Sequence, residues 1–360
     1  IDNIKDVGKA VLTAPQTVQN EFYAGIINLV GMQMIDVMAF TNPLTSLKKG
    51  TMEYGMTIED IYVEMASAHE YNPGTRTGNT VPDPFQITKA SVKAAFYHTQ
   101  LERQYKVTIH QQDVRRAFLS ADPVGTLTSA LMQSLRSAEE YDDYRMTVAL
   151  MARQIEAAET DVSTKWNGQI NLITDFNALF RAGDSDVALT AETALYDKDF
   201  LTYMVEQIKL WSNRLAYPRS DLNVAGVINS LPKERQDMIM LGDIDSKLTS
   251  YLTPWAYNKA DLSIGNFLPI DAWYSIGADD TTPPTAQSIS PDDIVVKGEL
   301  GGDGPVVAVL YDREMPKIYN KVNITDSAHN GAGHYDNIFR TVADIYAASP
   351  FRNFIAFYLA

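Results

Sequence analysis

The sequence predicts an α+β chain in which one long β-hairpin and one long helix are attached to a body of alternating helices and strands. Three observations predict it. The stretches "TMEYGMTI" and "FYHTQLERQYKVTIHQQDVRRAF" alternate polar and apolar residues at period two, the period of a strand. The run from Asp122 to Ala158 holds apolar residues at helical spacing for about ten turns. Beyond Asp197, amphipathic helical stretches alternate with short apolar strands.

Bulk properties set the limits. With 360 residues the chain has room for two or more domains, or for one domain with large insertions. A content of 45% hydrophobic and 21% charged residues is that of a globular protein with a sizeable core. The absence of cysteine excludes a disulfide framework and any cysteine-based metal site. A net charge of −15 describes a body that repels nucleic-acid backbones and anionic lipid. The most apolar run, "IINLVGMQMIDVMAF", is too short for a membrane span and is broken by Asn28, Gln33 and Asp36. No signal-peptide pattern precedes it, and no membrane partner is expected.

In chain order, residues 1–14 read as an arm. A helix follows in "TAPQTVQNEFYAGIINLVGMQMIDV", with Thr13 as N-cap, Pro15 in the first turn and Phe22, Ile26, Leu29 and Val30 as its apolar stripe. Asn42-Pro43 is a turn and Gly50 a break. The hairpin then begins: Met52, Tyr54, Met56 and Ile58 share one face of the outgoing strand. Its tip, "EYNPGTRTGNTVPDP", is dense in turn formers. On the return, Tyr97, Leu101, Tyr105, Val107 and Ile109 share one face, and His98, Gln100, Glu102, Gln104, Lys106, Thr108 and His110 the other. A strand of about fifteen residues spans roughly 50 Å. A two-stranded ribbon is marginal alone in water, so a neighbouring copy of the chain is its expected support.

The long helix starts at the Asp122 N-cap and Pro123. Its middle carries Glu139, Glu140, Asp142 and Asp143, with Arg136 and Arg145 one turn away for pairing along the helix. The α/β region then reads as helix "DKDFLTYMVEQIKLWSNRL" capped by Asp197, strand "DMIMLG", helix "DIDSKLTSYL" capped by Asp243, and strand "NFLPIDAWYSI". "GADDTTPPTAQSISPDD" reads as a surface loop, and "DIVVKGELGGDGPVVAVLYD" as two strands about a glycine-rich turn. The aromatic closing segment, residues 334–360, is strand-rich.

Candidate chemistry is thin. His98 and His110 stand twelve positions apart on one expected strand, roughly 40 Å, so they cannot share a metal ion or a reaction. His329 and His334 lie in "DSAHNGAGHYDN", read as a loop without a third ligand at suitable spacing. "GDIDSK" begins like a calcium loop, but Lys247 stands at the third ligand place. "GELGGDGP" leads to a strand instead of a helix, which argues for a hairpin turn over a phosphate cradle. No Walker, HExxH or GxSxG motif occurs. The acidic helix face "AEEYDDY" reads as solvated or arginine-paired before it reads as a divalent-ion site. Lys48 and Lys49 are either two solvated lysines at the hairpin base or a small anion contact. The competing classes are a cytoplasmic α/β metal-dependent enzyme built on the acidic helix and an adhesion module working through the polar tip. The residues themselves offer interface-building elements, with no catalytic group, metal site or cofactor.

The order of arm, helix, long hairpin, long helix, α/β middle and returning strands resembles the major capsid proteins of tailed phages with the Hong Kong 97-type fold. "QTVQNEF", "NPLTSLKKG", "GMTIEDIY", "FYHTQLERQYKVTIHQQDVRRAF", "RSAEEYDDYRMTVAL", "MIMLGDIDSKLTSYL", "NFLPIDAW" and "FRNFIAFYLA" are similar to the head proteins of the small short-tailed phages of the phi 29 type. The likeness covers nearly the whole chain, and it is carried by order and spacing more than by any one motif.

What the resemblance implies is a structural, non-catalytic protein that assembles as hexamers and pentamers into an icosahedral head in the host cytoplasm and ends in the virion. It would enclose double-stranded DNA without binding it specifically and would meet scaffolding and portal proteins during assembly. Residues 1–47 would be the arm and first helix, and 48–110 the extended loop lying across an adjacent subunit. Residues 111–165 would be the peripheral domain with its spine helix, 166–310 the axial domain, and 311–360 the return through the peripheral domain. Met52, Tyr54, Met56, Ile58, Leu101, Arg103 and Tyr105 are the expected inter-subunit contacts of the loop. Arg136, Glu139, Glu140, Asp143 and Arg145 are the expected charge network of the spine. Phi 29 relatives carry an immunoglobulin-like domain beyond this region, and the chain ends at Ala360, so that domain is expected to be missing. The Hong Kong prototype joins neighbours by a lysine–asparagine bond. Lys89, Lys93 and Lys106, with Asn337 and Asn353, match no such motif, and no cross-link is expected.

Overall fold

A computed structural model describes residues 39–52, 57–66, 68, 85, 87, 89–98, 101–110, 123–160, 166–181, 188–252, 266–276, 289–291, 295–298 and 302–360. The expected arm and first helix, the hairpin tip, Tyr54, Met56 and the Asp122 cap lie outside these residues.

A 3-10 turn at Thr45–Leu47 leads into β1 (Lys48–Thr51), β2 (Thr57–Val63), β3 (Val92–His98) and β4 (Leu101–His110). The long helix α1 runs Pro123–Thr160. Then come β5 (Gln169–Asn171), α2 (Leu172–Phe180), α3 (Ala191–Ala194), α4 (Lys198–Leu215), β6 (Gln236–Leu241) and α5 (Gly242–Leu252). The chain finishes with β7 (Asn266–Ile270), β8 (Tyr274–Ile276), β9 (Ile289–Pro291), β10 (Val295–Gly298), β11 (Gly302–Asp312), β12 (Pro316–Asn330), β13 (Tyr335–Ala348) and β14 (Phe354–Tyr358). Two compact units result, one of Ile1–Asn42, Arg103–Asp143 and Val322–Val342, the other of Pro43–Glu102, Tyr144–Lys321 and Ala343–Ala360.

The larger unit is built on a mixed sheet ordered β5-β14-β11-β6-β7, with β10 also pairing β11. β11 runs antiparallel to β14, β6 and β10, whereas β6–β7 and β14–β5 are parallel. β6 and β14 read as near-continuous apolar runs because the sheet is buried on both faces. Ile170, Met238, Met240, Val307, Leu310, Ile355 and Phe357 form one core with Leu172, Phe176, Phe200, Met204, Ile208 and Ile244 from α2, α4 and α5. α4 forms where expected: Asp197 accepts from the backbone N–H of Asp199 and Phe200, and Leu201, Met204, Val205, Ile208 and Leu215 recur at helical spacing on its buried face. β1 adds in parallel to β12, pairing Lys48 with Ile318 and Thr51 with Asn320. The register slips between Lys48 and Gly50, and Gly50 takes φ 129°, a backbone shape that a side chain would strain.

In the smaller unit, β12, β13 and β4 lie side by side in that order. β4 alternates as expected, with Arg103, Tyr105, Val107 and Ile109 turned inward and Glu102, Gln104, Lys106 and Thr108 exposed. Gln104 Nε2 donates to Thr341 and Thr108 Oγ1 to Asn337.

Four expectations are corrected. The continuous strand over residues 96–110 is two strands: β3 pairs with β2, while β4 joins the β12–β13 sheet. Period-two alternation identifies extended backbone but not its partner. "DSAHNGAGHYDN" is mostly strand: β12 runs to Asn330, residues 331–334 form the turn, and β13 begins at Tyr335. Asn330 Oδ1 accepts from the N–H of Ala332 and Gly333, which makes the reversal tight enough to need no long loop. "NFLPIDAWYSI" breaks at Asp271, whose carboxylate accepts from the hydroxyls of Tyr144 and Tyr274. α5 begins at Gly242, so Asp243 sits in its first turn beside the positive helix end instead of capping it.

Candidate inter-subunit surface

The two-stranded hairpin β2–β3 carries the largest question, because both of its faces carry large apolar side chains. The register Ile58↔Tyr97, Asp60↔Ala95, Tyr62↔Lys93 puts these six residues on one face. That face rests on the larger unit's own body. Tyr62 donates its hydroxyl to the Ile228 carbonyl and stacks on Phe351 at 5.7 Å between ring centroids. Lys93 Nζ donates to the Ala225 carbonyl at 3.1 Å, and Ser349 Oγ to Asp60 at 2.5 Å. Burial, with the Asp60 charge beside it, raises the Tyr97 hydroxyl well above the ordinary tyrosine range.

The opposite face is open. Ile61 is 55% exposed, Val63 57%, Val92 55% and Phe96 59%. Met65, Phe85 and Ile87 are exposed beyond it. Alternation places Ile61, Val63, Val92 and Phe96 together. A contiguous exposed apolar face of this kind marks an interaction site.

The sequence singled out the other parity. Ile58 is on the face that meets the body, and Met52, half-buried, extends the β1–β12 pairing by donating its N–H to the Asn320 carbonyl. Leu101 opens β4, but its side chain, like Tyr54 and Met56, lies outside the described residues. Arg103 and Tyr105, expected at a neighbour, reach the chain's own helix. Arg103 Nη2 pairs with Asp143 Oδ1 at 2.6 Å, and the Tyr105 hydroxyl donates to Asp142 at 2.7 Å. Burial and this bond raise the Tyr105 hydroxyl strongly. The missed residues did leave a signal: "TIEDIYV" carries large apolar residues at both parities, Ile58 and Tyr62 on one and Ile61 and Val63 on the other, as a strand with contacts on two sides does.

The charge network on α1 is also arranged differently from the expectation. Glu139 takes Arg340 of β13, Glu140 accepts the Asn42 N–H, Asp142 accepts Tyr105 and Asp143 pairs with Arg103. Arg136 is exposed, and the Arg145 guanidinium lies over the Tyr274 ring, 5.7 Å from its centroid. Glu139 and Asp143 take arginines from neighbouring strands, and Glu140 and Asp142 accept a backbone N–H and a tyrosine hydroxyl; helical spacing cannot show those partners.

Among the described residues no group of three histidine, aspartate or glutamate side chains is placed to hold a metal ion. His329 pairs with Asp336 across the β12–β13 turn at 2.5 Å. Lys49 Nζ holds Glu314 and the Arg313 carbonyl, both at 3.0 Å. Lys106 lies over Phe339, and Asn353 is buried in bonds to Asn223 and Asn229. No described helix is long and apolar enough to cross a membrane.

Known proteins resemble this geometry. The fold matches the capsid structure of Staphylococcus phage Andhra with a TM-score of 0.60, at 11% identity and over 91% of this chain and 87% of that one. The capsid structure of cyanophage P-SCSP1u matches with a TM-score of 0.56, at 11% identity and over 91% of both chains. The fold is therefore the α+β fold of phage capsid proteins, of Hong Kong 97 type. In sequence, the major capsid protein of Bacillus phage GA-1 is 24% identical over 96% of this chain and 62% of its own length. That of Bacillus phage PZA is 22% identical over 99% of this chain and 67% of its own. The chain thus spans about two thirds of the length of these relatives. The family model for the Phi29-like phage major capsid protein matches residues 1–358, and the chain belongs to that family.

Proposed function

We propose that this chain forms the shell of a phage head: copies assemble as hexamers and pentamers into an icosahedral capsid that encloses double-stranded DNA without binding it specifically. The role is structural, with no catalytic step, and its place is the virion. The observation that carries this reading is the open apolar face of the β2–β3 hairpin, in a chain of the major capsid family. The hairpin is already held to its own body along one face, so Ile61, Val63, Val92 and Phe96 stay wet unless another copy covers them. Covering each such half-exposed side chain contributes on the order of 1 kcal/mol, and a shell repeats that contact at every subunit. The net charge of −15 supports a container that holds DNA without trapping it.

In this reading the β2–β3 hairpin within residues 48–110 meets the adjacent subunit, 123–157 is the spine of the peripheral domain, and 166–310 the axial domain around capsomer centres. Scaffolding and portal proteins are the assembly partners, in the host cytoplasm. The test is negative-stain microscopy of the expressed, purified chain. Shells, hexamers or open sheets of capsomers are expected. A monomer that stays monodisperse on concentration, with its outer hairpin face still solvent-exposed, would reject the proposal.

A further inference from the structure

The larger unit carries a cluster of cations that the hairpin leaves unused. Four segments supply it: Lys49 from β1, Arg235 before β6, Arg313 and Lys317 about the β11–β12 turn, and Arg352 before β14. They converge on three carboxylates. Arg235 Nη2 donates to Asp312 Oδ2 at 2.6 Å, and Arg352 Nη1 lies 3.6 Å from the same oxygen. Arg313 donates through Nε and Nη2 to the two oxygens of Asp237, at 3.0 and 2.7 Å. Lys49 Nζ pairs with Glu314 Oε1 at 3.0 Å, and Lys317 Nζ lies 3.7 Å from Oε2.

Burial orders the charges differently at the two aspartates and at Glu314. The Asp237 and Asp312 side chains are each 1% exposed, whereas those of Arg235 and Arg313 are 38% and 43% exposed. At the two aspartates the negative charge lies underneath and the guanidinium faces outward; at Glu314 the order reverses, the carboxylate being 42% exposed and Lys49 and Lys317 18% and 13%. Five cations on three carboxylates leave a positive excess on a chain of net charge −15. A guanidinium pinned by a buried carboxylate holds its remaining N–H groups in a fixed fork, ready for an external oxyanion.

We infer that this cluster docks a carboxylate-bearing segment of a neighbouring copy of the same chain. The inference rests on the shell-forming reading, which brings copies into contact. A neighbouring copy fits better than nucleic acid. Duplex DNA carries one charge per about 1.7 Å and meets the repulsion of the whole acidic chain. A second copy is acidic too, but it presents separate aspartate and glutamate side chains at short range, and pairing them here relieves like-charge repulsion at the contact.

The test uses the whole chain, mixed in equal parts with an isotopically heavy preparation and then assembled or concentrated. A carbodiimide that joins amines to touching carboxylates without a spacer is added, and peptides are read by mass spectrometry. Light Lys49 or Lys317 joined to a heavy aspartate or glutamate peptide is expected. Links only within one isotope, such as Lys49 to Glu314, overturn the inference. In parallel, Lys49→Gln with Lys317→Gln is expected to lower the melting temperature modestly, through the lost pairs to Glu314, with the fold intact by circular dichroism, and to raise the concentration at which particles first appear roughly tenfold at low salt. The difference should shrink at high salt. An unchanged threshold speaks against docking. If the parent chain binds a fluorescent DNA duplex and the double variant does not, the occupant is nucleic acid and the assignment to a second copy is overturned. If the parent forms no particles at all, the shell reading falls, and the mixed-isotope links in the concentrated protein still decide the docking.

Discussion

Arg103 and Asp143 form an ion pair of 2.6 Å in which the two side chains are 6% and 1% exposed. It ties β4 to α1 inside the smaller unit. Removing one partner strands a buried charge, so Arg103→Met is expected to cost about 3–5 kcal/mol, read as a lower denaturant midpoint. Arg103→Met combined with Asp143→Leu should recover most of that loss. A double variant no better than the single would show that the pair's geometry, more than the stranded charge, sets the cost.

The hairpin faces make opposite predictions. Phe96→Asp and Ile61→Asp alter exposed positions, so melting should move by no more than about 0.5 kcal/mol in stability while particle formation is lost. Tyr62→Ala removes the stack on Phe351 and the bond to the Ile228 carbonyl, and it should destabilise the monomer itself. Micrographs and calorimetry of the three variants check this. Normal heads from Phe96→Asp would move the contact elsewhere.

Acid should loosen the larger unit. Two bonds from Arg219, at 2.9 and 2.6 Å, hold the Asp221 carboxyl below its ordinary range. Burial pushes Glu314 up, but the bond and charge of Lys49, helped by Lys317 and Arg235, outweigh it and leave this carboxyl low as well. A depressed carboxyl contributes stability that is fully present above its unfolded value and is lost as pH falls through the folded one. Melting should therefore drop below about pH 4, and Asp221→Asn should flatten that slope.

Alkali acts through tyrosines. Burial, with Asp175 and Glu206 nearby, pushes Tyr203 up to about 12, and Tyr97, Tyr105, Tyr144 and Tyr311 lie higher still, burial being the first cause in each. A raised tyrosine favours the folded state fully below its unfolded value of 10.0, and that contribution is lost as pH rises through the folded value. Tyrosinate absorbance should lag behind that of free tyrosine and then rise together with unfolding. Tyr105→Phe should cost about 1 kcal/mol at neutral pH through the lost bond to Asp142.

Gly168→Ala probes the edge of the main sheet. A Cβ there would stand 2.7 Å from the Phe354 carbonyl and closer still to the Trp166 ring, which stacks on Phe354 at 4.6 Å. The backbone carbonyl cannot move away cheaply, so a loss of about 1–3 kcal/mol in thermal or denaturant melting is expected.

Much of the architecture was legible because it is written in local periodicity. α1, α4 with its Asp197 cap, β6, and the β10–β11 hairpin stand where helical spacing, a capping residue and a glycine turn put them. The period-two alternation of β4 also stands, with Tyr105, Val107 and Ile109 on one face, although that face turns to the chain's own packing and not to a neighbour. These features depend on neighbours within a few residues, and such neighbours are visible in a sequence.

What the sequence by itself determined is most of this set of elements, their order, and the presence of a hairpin with exposed apolar residues in an acidic chain, though not its length. Tertiary structure alone decided which element each one touches. It ended β3 at His98, gave β4 to β13, turned Ile58 and Tyr62 toward the body and left Ile61 and Phe96 open. It also sent the α1 carboxylates to Arg103 and Arg340 and gathered five cations from four distant segments. The physical reason is range: backbone preference and amphipathic period act over one or two turns, whereas burial and charge pairing are settled by residues hundreds of positions apart that only the packed chain brings together.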